Sequence, residues 1–540
     1  MASRTLAVTG VQYAPAFANV GYNTVEVFIE NGTGAPVTFT GGDLDGVKLP
    51  PLDFGAAQSL AAMLRPQFEG VSGGKPPTSV LSDGRITWWQ FYPSATVQPG
   101  ETVLCQINLK ENLTRTRKLA LYAKDADSPL YADILHYRAP GTSVNAVTWS
   151  KDGAKMFVQY SSANSTLRGI ALNGTPMQFK VLEPQAGMPV LPFLAAVPLQ
   201  SPVKAGTTIL LKLTFEDGSV HRELFRAAPG VVLDAYGSEK DGTLPSAMRA
   251  KFHLDDKPVI AYLNFDVACD DTRVHRPGDS AMRVTAARLD AFKKQPGRLS
   301  AIDFCTSTTR RTWNIYAHLT DAVFVKPYRL GWGTDPTRFI EEEEECVTES
   351  VFAAAPRPSI WIPERFKRNE RHIEGTELRV MAWNSLMAGA RGIRYHFWKD
   401  GVTDPFRDWH GIEGEMQSLN ADIRRIDAIL SPLVAVSAGT DDAQGVRVRE
   451  AWSGDVGVLL FVRDLRYTTD GKGNNNGKSP RFKSGPVRDI TVAYTLPPWL
   501  DTVTSVTDPL TGEPLPFTTE QRTVTVTFPL NLLQLIWIKK

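Results

Sequence analysis

Between Val231 and Trp398 the chain carries a run of short apolar segments that turn polar at one end. They read Val231-Val-Leu-Asp-Ala-Tyr236, Val259-Ile-Ala-Tyr-Leu-Asn-Phe-Asp266, Leu299-Ser-Ala-Ile-Asp303, Ala322-Val-Phe-Val-Lys-Pro-Tyr328, Ser359-Ile-Trp-Ile-Pro-Glu364 and Ile393-Arg-Tyr-His-Phe-Trp398. Helical stretches such as Ser280–Lys294, Phe339–Ala355 and Thr376–Gly389 lie between them. Strands of a parallel sheet are covered on both faces and read as apolar runs, and in a β/α barrel the chemistry sits where they emerge. Residues 229–435 are therefore expected to form a TIM-type β/α barrel, complete or incomplete, with its site at the polar ends. The amphipathic stretch Met416–Leu430 is expected to close it, ended by Ser431-Pro432.

The flanking regions follow a different period. Thr24-Val-Glu-Val-Phe-Ile-Glu30 alternates apolar and polar residues and runs into the turn Asn31-Gly-Thr-Gly34. Similar strands at 85–91, 102–108 and 118–123 make residues 1–140 an expected N-terminal β-sandwich. Residues 141–228 read as a second one, with the hairpin-like Glu216-Asp-Gly-Ser219, and residues 436–540 as a C-terminal β-sandwich with a turn at Asp508–Glu513. The run Glu341–Glu345 is expected to be the solvated face and first turns of a helix, where carboxylates suit the macrodipole.

Composition narrows the function. The 540 residues carry 59 Lys and Arg against 58 Asp and Glu, so no global basic field invites nucleic acid or anionic membrane. No stretch approaches the roughly 20 apolar residues of a membrane span. The start Met-Ala-Ser-Arg-Thr-Leu has no signal-peptide core, while the strand-rich, Asn/Gly/Thr-rich N-terminal region suits a secreted or periplasmic protein. The four cysteines form no C-x-x-C pair, and Cys269 and Cys305 follow consecutive strand ends, either bonded or as separate thiols. Neither a metal nor a cofactor is called for, since zincin, P-loop, nucleophile-elbow and dinucleotide fingerprints are all missing.

Side chains alternate across a strand, so parity sorts the polar ends. Tyr262, Asn264 and Asp266 share one face; Asp234 goes with Tyr236, Asp303 with Cys305, Lys326 with Tyr328, and His396 with Trp398. Together with Glu364 they line a mouth of carboxylates, aromatic rings, one lysine and one histidine. Glycosidic cleavage needs such a carboxylate pair. One protonates the leaving oxygen, and the other attacks the anomeric carbon or activates water. Trp398 reads as a stacking platform, Trp361 as core, and Asp234 as a substrate-binding or structural carboxylate.

The segment Glu377-Leu-Arg-Val-Met-Ala-Trp-Asn-Ser-Leu-Met-Ala-Gly-Ala-Arg-Gly-Ile-Arg-Tyr-His-Phe-Trp398 resembles the last helix and final strand of barrels in the retaining glycoside hydrolase superfamily with catalytic carboxylates on strands four and seven. The β-sandwich, barrel and C-terminal β order is also similar to multidomain members. Counting back makes 360–364 strand seven and puts Asp266 at the end of strand four. The resemblance implies Glu364 as nucleophile, Asp266 as acid/base and Tyr328 as a partner of the nucleophile. Asn264-Phe-Asp266 and Cys269-Asp-Asp271 stand where the superfamily has an Asn-Glu pair. Asp303, Asp270 and Asp271 are the alternative carboxylates.

A glycoside hydrolase acting on a polysaccharide or complex glycan is thus the leading expectation. Arg310, Arg311, Lys326, Arg329, Arg365, Lys367, Arg371 and His372 fall on or just after strand ends, which suits either an anionic sugar or a scatter of solvated charges. Arg365 is a substrate-binding candidate and also an ion-pair partner for Glu364. The competing readings are a glycan-binding or cell-surface protein with a degenerate barrel, and a polysaccharide lyase. The oligomeric state stays open, a homo-oligomer included.

Overall fold

The computed structural model describes residues 6–14, 23–49, 86–92, 94–109, 117–124, 126, 128–134, 143–162, 165–184, 192–218, 220–236, 246–254, 260–266, 299–305, 317, 320–327, 339–363, 373–396, 412–466, 468–470, 481–483 and 485–540. Antiparallel sheets dominate on both sides of one parallel sheet.

The N-terminal unit packs one antiparallel sheet (Leu6–Ala14, Asn23–Asn31, Thr102–Leu109, Ile86–Tyr92) on a second (Val47–Lys48, Val37–Leu44, Arg117–Ala123, Leu130–Ile134). Val25, Val27 and Ile29 point into the core between them, as the alternation predicts. Phe28 is on the other face, yet it too is fully buried, in the apolar cluster of the parallel sheet and its helices. The next unit pairs two four-stranded sheets around Trp149, Met156, Leu211 and Phe215. Its hairpin joins Thr208–Phe215 to Val220–Arg226 through Gly218, whose φ of 82° suits glycine. The C-terminal unit stacks a five-stranded sheet on a three-stranded one. Its core continues into Phe157, Leu182 and Leu194 of the second unit. Gly454 allows this close approach, because a Cβ there would lie 2.4 Å from the Phe157 ring.

Among the described residues the parallel sheet has six strands: β1 (Val232–Tyr236), β2 (Ile260–Asp266), β3 (Leu299–Cys305), β4 (Ala322–Lys326), β5 (Ser359–Trp361) and β6 (Gly392–His396). The described helices are α1 (Ser246–Lys251), α2 (Phe339–Ala354), α3 (Gly375–Met387), α4 (Glu413–Arg425) and α5 (Asp427–Leu430). All neighbours are parallel and the order is β1-β6-β5-β4-β3-β2. The chain therefore winds in one direction and its last strand pairs with its first, as in a barrel. Among the described residues no pairing joins β1 to β2, so the sheet is a half-barrel.

Of the two alternatives, a complete or an incomplete barrel, the described residues show the incomplete one. Among the described residues only α1 lies between β1 and β2. The strands that would be four and seven are the second and fifth of the six described.

Two apolar layers follow from the period-two pattern. Val232, Leu299, Ala301, Ala322, Phe324, Ile360 and Ile362 form the inner one. Leu233, Ile302, Val323, Val325, Trp361 and Ile393 face outward onto Val347, Leu378, Met381 and Leu419 of the helices. Gly392 starts β6 where a Cβ would sit 2.0 Å from the Val232 carbonyl oxygen, so only glycine lets the last strand meet the first. Arg391 just before it is buried and donates to the carbonyls of Leu430 and Leu433 at 3.0 Å, and to that of Ser431. Burial brings this guanidinium down to about 10, partly offset by Asp427.

The acidic run does open α2, with Glu341 and Glu342 in its first turn and Glu345 exposed, but it is a solvated face only in part. Glu343 and Glu344 are buried. Glu344 accepts hydrogen bonds from Arg447 and Arg449, and Glu341 one at 2.7 Å from Arg463, all on strands of the C-terminal sandwich. Burial would raise the Glu344 carboxyl, but the charges and hydrogen bonds of Arg449 and Arg447 outweigh it and hold it below the ordinary carboxylate range.

Candidate active site

At the carboxyl ends of the strands the inner layer changes from apolar to charged. Asp234 on β1 is buried between two guanidiniums. Arg249 Nη2, returned by α1, donates to Asp234 Oδ1 at 2.7 Å, and Arg394 Nη1 on β6 lies 3.4 Å from Oδ2. Parallel register sets Asp234 directly beside Arg394. Arg249 also donates to the Ala235 carbonyl at 3.3 Å, and the Arg394 guanidinium lies 4.4 Å above the centre of the Phe324 ring. Further across the sheet, fully buried Asp303 of β3 is ion-paired with Lys326 of the adjacent β4.

These two groups sit on the concave side because their residues share parity with the inner apolar layer. Val232 precedes Asp234, Ala301 precedes Asp303 and Phe324 precedes Lys326 by two residues. The outward neighbour Tyr395 instead donates to Asn420 of α4 at 2.9 Å, and Asn420 donates to the Phe252 carbonyl at 2.8 Å. Trp361 lies in the outward core.

Asp234, Asp303 and Lys326 are thus described with their contacts. Asp266 pairs in register with Asp303, after an irregularity that gives β2 two extra residues, Asn264 among those between the paired positions. Tyr236 and His396 are register partners across β1 and β6. Glu364, Arg365, Tyr328, Trp398, Asp270 and Asp271 lie outside the described residues, as does Cys269. Sequence reasoning missed Arg249 and Arg394. The alternation that turned His396 inward assigns Arg394 to the same face, whereas nothing local marks Arg249. Among the described residues no group of three His, Cys, Asp or Glu side chains comes together as a metal would need. None of the described helices is long and apolar enough to cross a membrane.

No family model matches the chain, and no curated protein matches it in sequence. Among solved structures it is similar to an alpha-amylase from H. orenii, with TM-score 0.30 and 8% identity over 47% of this chain and 56% of that one. An alpha-amylase from Malbranchea cinnamomea gives TM-score 0.29 and 13% identity over 54% of this chain and 57% of that one. An alpha-fucosidase from Thermotoga maritima gives TM-score 0.24 and 10% identity over 55% and 77%. The chain spans little more than half the length of the two amylases. Likenesses of this size fix neither a reaction nor the role of any residue.

Proposed function

We propose that the chain is a glycoside hydrolase acting on a polysaccharide or complex glycan in a secreted or periplasmic setting. The observation that carries the reading is the inner face of the half-barrel, apolar along its strands and charged only at their carboxyl ends, at Asp234, Arg394, Asp303 and Lys326. In this reading Asp266 protonates the glycosidic oxygen and Glu364 attacks the anomeric carbon, after which water releases the sugar. Asp303 and Asp234, already ion-paired, act as fixed acceptors for sugar hydroxyls, with Tyr236, Asn264, Tyr328, His396 and Trp398 around the ring. Arg394, Lys326 and Arg365 suit a carboxylate or sulfate on the substrate.

The test is turnover on a panel of neutral and anionic glycans by the parent, Asp266→Asn and Glu364→Gln. The reading requires a substrate on which each variant loses several orders of magnitude in kcat while folding is intact. Near-parental activity of both would remove the pair and leave Asp303, Asp270 and Asp271. A product absorbing as an unsaturated sugar would make the protein a lyase instead. The half-barrel favours one second reading, a glycan-binding protein without turnover, in which Glu364→Gln changes binding little.

A further inference from the structure

Two guanidiniums reach Asp234 in different ways. Arg394 is placed by strand register, since β6 pairs with β1 and sets the two residues side by side. Arg249 has no such guide. It comes from α1, whose six residues are too few to be stable alone. Its side chain is nonetheless buried, with Nη2 2.7 Å from Asp234 Oδ1 and Nη1 3.3 Å from the Ala235 carbonyl. A partner outside the sheet must fix where α1 ends.

Asn420 of α4 is placed to do so. The end of a helix leaves carbonyls without partners inside the helix. Just past α1, the Phe252 carbonyl accepts a hydrogen bond from Asn420 Nδ2 at 2.8 Å, and both residues are fully buried. A carbonyl can only accept, so the amide nitrogen faces it and Oδ1 is left for the Tyr395 hydroxyl, which donates at 2.9 Å. Tyr395 follows Arg394 on β6. The contacts therefore run in a closed circuit, from Asp234 through Arg394 and Tyr395 of β6, Asn420 of α4 and Phe252, back to Arg249. Arg424, a turn further along α4, reaches the His253 carbonyl only at 3.5 Å and from the surface, so it adds little.

We infer that Asn420 is a positioning residue for the candidate site: from behind the sheet it fixes the end of α1 and so keeps Arg249 on Asp234. The inference rests on the glycoside hydrolase reading only for what Asp234 does there, which is to hold sugar hydroxyls. The test is a double-mutant cycle on the full chain. Asn420→Leu keeps the bulk and removes both hydrogen bonds, and Arg249→Met keeps the stem and removes the guanidinium. In denaturant unfolding, Arg249→Met should lower the parental midpoint, and should lower that of Asn420→Leu by roughly half as much or less. On a glycan that the parent cleaves, each single variant should raise KM on the order of tenfold at nearly unchanged kcat, and the double variant should be no worse than either. A residue serving stability alone would leave KM at the parental value in the folded variant. Asn420→Ala takes the place of Asn420→Leu in the cycle if the latter does not fold. Additive midpoint losses, an unchanged KM, or a loss confined to kcat would overturn the inference. Coupled midpoints without turnover of any glycan keep Asn420 as the residue that positions Arg249 and remove the hydrolase.

Discussion

The half-barrel uses the same chemistry, buried arginine against buried carboxylate, in two different settings. At the strand ends, Arg249 and Arg394 flank Asp234 on the concave face. Behind the sheet, Arg447 and Arg449 converge on Glu344 and fasten α2 to the C-terminal sandwich. Burial and pairing are alike in the two, so neither distinguishes a site from a joint. They differ in direction: the first cluster continues the inner strand face at the carboxyl ends, where the proposed site lies, while the second fills the space between a helix and a sheet. A buried ion pair is also weak evidence for net stability, because desolvation offsets much of the attraction, although removing one partner is costly.

The sharpest way to break this contrast is at the proposed catalytic pair. Asp266→Asn and Glu364→Gln should each reduce kcat by several orders of magnitude with unchanged thermal midpoints, measured on whichever glycan the parent cleaves. Loss of folding instead would make those carboxylates joints like Glu344.

Gly392→Ala should be the most damaging single change to the fold, since its methyl group would overlap the Val232 carbonyl and push β6 away from β1. We expect little soluble protein, and a variant with a parental midpoint would show that β1 and β6 do not meet closely.

Glu344→Gln leaves Arg447 and Arg449 facing a neutral amide. Breaking a buried pair of this kind costs about 3–5 kcal/mol, read by denaturant unfolding. Any activity, measured where the variant is still folded, should match the parent, and a lower kcat at full folding would tie the joint to the site.

The same carboxylate gives the smallest and most specific prediction. Its folded pKa lies below the unfolded value of about 4.3, so its contribution is complete above that pH and is lost as the pH falls through the folded value. The gap in thermal midpoint between parent and Glu344→Gln should be wide at pH 7 and should shrink only as the pH falls below the unfolded value and through the folded one. An undiminished gap in acid would mean that shape, not charge, makes the joint.

Local period determined much of this protein. Strands at 232–236, 299–305 and 392–396, helices at 339–354 and 375–387, and the inward parity of Asp234, Asp303 and Lys326 all follow from apolar residues repeating at the period of the element they occupy. The tertiary structure alone decided what those elements meet. It buried Phe28 against the half-barrel, gave Asp234 two arginines, left six described strands in the parallel sheet, and turned an acidic run that reads as solvated into an interface. The reason lies in distance along the chain. Arg447 and Glu344 are 103 residues apart, and Asp234 and Arg394 come together only because the last strand closes on the first. A period of two or 3.6 residues tells a side chain which way to face. Its partner is set by whichever distant segment lies across the core.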